Sequence, residues 1–263
     1  MNELKLYGLL IRASIRSRMQ YKFNFIFSSL MALVINVMEF LLIAIILNRF
    51  GDIKGWGLLE IGYLYSAIIL SRALYRTVAS DVHHIERYLV NGEMDQLLTR
   101  PIPVLLALMS QNFNILAAEF FQGIIIMTIC INGLMAAGQM TWFDVPLTLL
   151  MIVCGGFILF TIGLITSTVG FWITRIRDLQ NITEDAARNA AQYPISLYPK
   201  WMQLILLTVL PVGLVNYVPT LYIIRGEMGP WVIGLVLIFT AGFLWVGLRF
   251  WRVGISRYQS TGN

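Results

Sequence analysis

Histidine and cysteine are nearly missing from this chain, with two of each in 263 residues. A zinc or iron–sulfur centre needs three or four such ligands at fixed spacing. Cys130 and Cys154 lack CxxC spacing, so they read as small apolar residues that report nothing about redox compartment. His83-His84 lies beside Asp81, but neighbouring side chains on a helix point about 100° apart and no third ligand follows. Charge is scarce too, 13% against roughly 25% in a soluble domain, while 58% of residues are hydrophobic. With a mean hydropathy of +0.74, a soluble fold would be a core with almost no surface, so composition predicts an integral membrane protein. There is no GxSxG, no HExxH and no histidine within an apolar run. Lys5, Lys22, Lys54 and Lys200 precede Leu6, Phe23, Gly55 and Trp201, never Ser or Thr, which excludes a Walker A loop. Energy for uphill movement must then come from an ion gradient or from another polypeptide.

What is abundant is long apolar runs. A hydrocarbon core of about 30 Å needs roughly 20 residues, and such runs occupy 25–47, 58–78, 113–136, 145–172 and 231–251, with a proline-interrupted region over 179–224. If that region crosses once, the chain is an all-α polytopic protein of six transmembrane helices, a single domain over 1–263 with both ends on one side. The first run begins too late and is too long for a secretory signal. Arg and Lys cluster before the first run, around 72–100, at Arg175 and Arg177, and at Arg249, Arg252 and Arg257. The positive-inside bias makes these places cytoplasmic. The net charge of +5 therefore reports topology and anionic membrane lipid, not nucleic acid. Lys5, Arg12 and Arg16 share a face opposite Leu4, Tyr7 and Ile15, which predicts an interfacial helix over 1–22. Trp56, Trp142, Trp172, Trp201, Trp231 and Trp251 sit near run ends, where an aromatic belt would lie.

Between the second and third runs lies the one long polar insert. Over 84–103, Leu89 or Val90, Met94, Leu97 and Leu98 recur at helical steps, with Glu86, Arg87, Glu93, Asp95 and Arg100 between them. This predicts a short two-faced helix, bent at Asn91-Gly92 and stopped by Pro101 and Pro103. Such a piece suits a membrane surface or a groove on another protein.

Charges inside the runs cost at least ~2.5 kcal/mol each at mid-depth and need partners. Glu39 and Asn36 lie in the first run and Glu119 in the third; Glu119 and Arg188 are a candidate ion pair at similar depth. Gly156, Gly163, Ser167 and Gly170 form a small-residue stripe, for packing within the chain or against a second subunit. The fifth region is polar over 181–189, then broken by Pro194, Pro199, Pro211 and Pro219. The preferred reading makes 179–197 a short crossing helix shielded by its neighbours and 199–224 a re-entrant pair of half-helices. The other keeps 179–196 cytoplasmic and makes 204–224 a kinked span.

The insert Gly92-Glu93-Met94-Asp95-Gln96-Leu97-Leu98-Thr99-Arg100-Pro101 resembles the cytoplasmic coupling helix of ABC type-2 permeases, membrane subunits of bacterial ABC exporters. Tyr193-Pro194-Ile195-Ser196-Leu197-Tyr198-Pro199-Lys200-Trp201 and Leu210-Pro211-Val212-Gly213-Leu214-Val215-Asn216-Tyr217-Val218-Pro219 are similar to the same group, in its short-permease branch. The likeness runs over the whole chain and departs at the polar 181–189 segment. It implies an exporter subunit in the bacterial inner membrane, without cofactor or ATPase site. That subunit would pair with a second permease, identical or related, and with two ATPase subunits. It also implies ATPase coupling by Glu86, Arg87, Gly92, Glu93, Asp95, Leu97, Leu98, Arg100 and Pro101, and an outer gate at Pro199, Pro211, Asn216 and Pro219. Two rivals stand beside it: a secondary transporter with Glu39, Glu119 and Arg188 as an ion relay, and a membrane-anchored assembly or immunity protein that moves nothing.

Overall fold

The computed structural model describes residues 8, 22–173 and 175–259. The described chain forms α1 (Lys22–Phe50), α2 (Leu58–Ala79), a 3-10 turn (Ser80–Val82), α3 (Ile85–Val90), α4 (Glu93–Leu98), α5 (Val104–Gln111) and α6 (Ala117–Ala136). It continues through α7 (Asp144–Val169), α8 (Arg177–Ala191), α9 (Lys200–Thr208), α10 (Val212–Val215), α11 (Tyr217–Arg225) and α12 (Trp231–Ser256). Five of these, α1, α2, α6, α7 and α12, are long and apolar enough to cross a membrane, and α9 with α10–α11 make a sixth candidate bent by 75°. The protein is a multi-pass membrane protein. The interfacial helix expected over 1–22 falls outside the described residues except at Gly8 and Lys22.

α2 is the axis of the bundle, buried along nearly its whole length. Lipid is as apolar as leucine, so what draws α2 and α7 together is close packing through small residues. The stripe on α7 serves this: Gly156 lies against Ser71 and Leu74, Gly163 against Tyr75, and Gly170 against Leu89 and Ile176. Ser71 also donates to the Ile152 carbonyl at 2.9 Å. The small residues are thus consumed inside the chain. By contrast α1 rests on α6 and α2 and exposes Ile26, Ile35, Met38 and Leu42.

The polar helix α8 runs antiparallel along α2. Its first N–H groups, on Ile176 and Arg177, donate to Glu86 just beyond the turn between α2 and α3. Gln180 then donates to the Val82 carbonyl, Glu184 meets Arg76, and at its far end both Ala191 and Leu64 offer carbonyls to Asn216. By Ser196 the chain has reached Lys54, in the loop before α2. Fifteen residues of α helix cover only about 22 Å, and the 3-10 turn Ile195–Leu197 extends the path. From there residues 199–225 leave and return to the same end: Asn216 dips to the level of Leu64, and Arg225 comes back to Glu60 and Gly55. Pro211 is buried at the bend, and Pro219 falls in the first turn of α11, where its missing N–H is tolerated.

Two expectations are corrected here. Trp56 and Trp251 are not interfacial anchors; they are 2% and 4% exposed, Trp56 lying under the Arg225 guanidinium and Trp251 against Phe171. The other four tryptophans of that set are at least half exposed. The run read as 113–136 is helical only from Ala117, and a separate helix, α5, precedes it.

Candidate functional site

At one end of the bundle the polar insert folds into a hairpin of two six-residue helices, α3 and α4. The bend falls at Asn91-Gly92, where Gly92 takes φ 70°, a left-handed conformation that glycine adopts without cost. The apolar face is turned inward: Ile85, Tyr88, Leu89, Met94 and Leu97 are at most 3% exposed. Val90 and Leu98, which the sequence pattern places on the same face, are 40% and 41% exposed. Short helices are unstable alone, so this hairpin depends on side-chain anchors. Buried Asp81 accepts from Asn112 at 3.0 and 2.8 Å and from the Tyr88 hydroxyl. Ser167 of α7 donates to Val82 at 2.5 Å, Gln180 bridges Val82 and Ser167, and Glu86 caps the start of α8 at 2.7 and 2.6 Å. Asp95 lies beside Tyr258, whose hydroxyl burial and that carboxylate push up to about 12. The hairpin is therefore fastened to α7, to the segments after α5 and α12 and to the start of α8.

Of the residues expected to meet a partner, Arg87, Leu98, Arg100 and Pro101 are exposed, and Gly92, Glu93 and Asp95 are partly so. Leu97 is part of the internal packing, and the Glu86 carboxylate is turned onto α8. Arg87 sits over the Tyr88 ring, donates to its hydroxyl and lies 3.6 Å from Glu93.

A second polar region runs up the α2–α8 seam. The pairing expected between Glu119 and Arg188 is not formed. Glu119 accepts from Arg72 at 3.0 Å, and Arg188 donates to Glu39 of α1 at 3.1 Å. The reason is azimuth: Glu119, on the α6 face against α2, meets the arginine already there, whereas α8 sits beside α1 at that level. Nearer the hairpin, Glu184 takes His83 Nδ1 at 2.5 Å and Arg76 Nε at 3.6 Å, and the other ring nitrogen of His83 is 3.1 Å from Asn181. Asp178, Asp185 and Asn189 line the exposed side of α8. The sequence marked Arg72 and Arg76 for topology only, although their four-residue spacing puts them on one helical face. In a double-mutant cycle, Arg188 and Glu39 are expected to couple by about 1 kcal/mol, while Arg188 and Glu119 add independently. Unfolding of the solubilised chain measures both, and coupling to Glu119 alone would refute the assignment.

The third polar region is at the opposite end. Ile53 and Trp56 exchange backbone hydrogen bonds of 3.1 Å around Lys54-Gly55, both at positive φ, a tight turn of the hairpin type. Arg225 ties it down, donating to both oxygens of Glu60 at 3.0 Å and to the Gly55 carbonyl at 2.6 Å. Of the residues assigned to an outer gate, Asn216 is buried and joins α2 to α8, Pro211 and Pro219 are buried, and Pro199 is exposed at the start of α9.

The family model described as ABC-2 family transporter protein matches residues 33–262. No curated protein matches the chain.

Proposed function

The chain belongs to the ABC-2 family of transporter proteins and is a permease component of an ABC transporter; from that premise we propose that it forms half of an exporter's translocation path, driven by a separate ATPase. The observation that carries the reading is the anchoring of the α3–α4 hairpin to elements on several sides of the bundle. A push on that hairpin cannot be absorbed locally, because Asp81, Glu86 and Ser167 pass it on. Coupling of this kind needs a bundle with two arrangements, biased at one contact. The hairpin end is then cytoplasmic, with both termini, and the tight turn at 51–57 faces outside.

In this reading α8 is the fifth crossing. A helix with Asp178, Asp185 and Asn189 unpacked cannot face hydrocarbon, so that face lies toward water or a second permease, identical or related. Residues 199–225 are re-entrant from the outer side, which their return to Glu60 and Gly55 supports. Nucleotide hydrolysis belongs to two ATPase subunits docked under the hairpin. The ion-relay alternative is weakened, since Glu39 and Glu119 are each held by their own arginine.

Replacing Glu93 and Asp95 together by lysine tests the docking. Recovery of a co-expressed ATP-binding subunit with the tagged chain is expected to fall about tenfold, which is ~1.4 kcal/mol, with unchanged membrane insertion. Undiminished recovery would place the ATPase elsewhere.

A further inference from the structure

Between α3 and the start of α8 lies a cleft of about 570 Å³, lined by Arg76, His84, Glu86, Arg87, Arg177 and Asn181 among others. That is room for a small polar group. Three guanidinium groups meet there, and the one carboxylate in the lining is already committed to the N–H groups of Ile176 and Arg177. The neighbouring acids pair with two of them and leave the third unpaired. Glu184 and Glu93 form ion pairs of 3.6 Å with Arg76 and Arg87, looser than a hydrogen-bonded pair, and Arg177 has no ion pair among the described residues. An anion with several oxygens can satisfy guanidinium donors that no carboxylate holds. Arginine forks match a tetrahedral oxyanion, taking two oxygens at a time.

We infer that this cleft binds a phosphate-bearing anion through Arg76, Arg87 and Arg177, the source being an anionic lipid headgroup or a free phosphate. The inference rests on the geometry of the cleft and stands whether or not the chain is an exporter.

The test uses the full-length chain in phosphatidylcholine nanodiscs. Phosphatidylglycerol is added to the bilayer in one arm, inorganic phosphate to the buffer in the other, and thermal stability is followed against anion content. Saturable stabilisation is expected in one arm, and the arm that shows it names the source. Arg177→Gln, at an exposed position, is expected to raise the half-saturating amount about tenfold, the loss of one charge-assisted contact. Arg177→Lys should recover much of the effect, and Arg252→Gln, the same charge change on α12, none of the loss. The proposal is overturned if neither anion gives a saturable response, or if Arg177→Gln and Arg252→Gln behave alike. It is equally overturned if Arg177→Gln alters only recovery of an ATPase subunit, which would assign the cleft to protein carboxylates.

Discussion

Replacing Glu184 by alanine is expected to lower the unfolding free energy by about 3–5 kcal/mol, the usual loss when one member of a buried ionic cluster is removed. Glu184 is 5% exposed and meets His83 and Arg76 from α8, so its loss leaves a buried guanidinium whose remaining surroundings hold no carboxylate in contact. The same change loosens α8 from α2 and from the turn that follows it. A second substitution separates charge from packing. With Arg76→Leu added, the stranded cation is gone and part of the loss should return, because an apolar replacement of a whole buried pair is often nearly neutral. Denaturant unfolding of the solubilised chain reads both variants. A single-variant loss under about 1 kcal/mol, or a double variant worse than the sum, would show that the cluster is wet and unimportant to the fold.

Arg225→Leu is the corresponding test at the other end. Here one guanidinium donates to Glu60, caps Gly55 and stacks at 3.9 Å over Trp56. Arg225 is 23% exposed on its side chain, so solvent screens part of the interaction and the expected loss is about 2–3 kcal/mol. The location of the change matters more than its size. Deuterium uptake over 51–57 and 217–225 should rise about tenfold or more while the α3–α4 hairpin keeps its protection, since the clamp reports local opening. Arg225→Lys should fall between, keeping the charge but losing the planar stack and the paired donors. Uptake unchanged at 51–57 would mean that the turn is held by its own backbone bonds and that Arg225 is no latch. Under the exporter reading, a loosened clamp is an exit that opens without its ATPase.

The apolar helices long enough to cross a membrane, the bend at Asn91-Gly92 and the resemblance of the insert to a coupling helix could all be read from residue order. Each depends on local rules: apolar length against bilayer thickness, glycine at a left-handed position, proline as a stop. The family match over residues 33–262 agrees with that reading. Where the sequence reading failed, the question was one of azimuth between distant elements. Glu119 met Arg72 and Arg188 met Glu39, a contact spanning 149 positions, because depth along the bilayer is legible in sequence whereas rotation about a helix axis is set by which neighbours arrive. Trp56 looked like an anchor for the same reason; only the return of the chain to residue 225 buries it.

The sequence by itself determined that this is a helical membrane protein with no Walker A pattern at its lysines and with one amphipathic insert, since composition, run length and the residues after each lysine are properties of order alone. Tertiary structure decided what that insert can do. Asp81, Glu86 and Ser167 are unremarkable in a string of letters, and become fasteners only when α5, α7 and α8 converge on the hairpin from segments as far as 91 residues away. The physical reason is range: hydrophobicity and backbone conformation act along the chain, while a hydrogen bond or an ion pair exists only where two helices meet at a particular rotation.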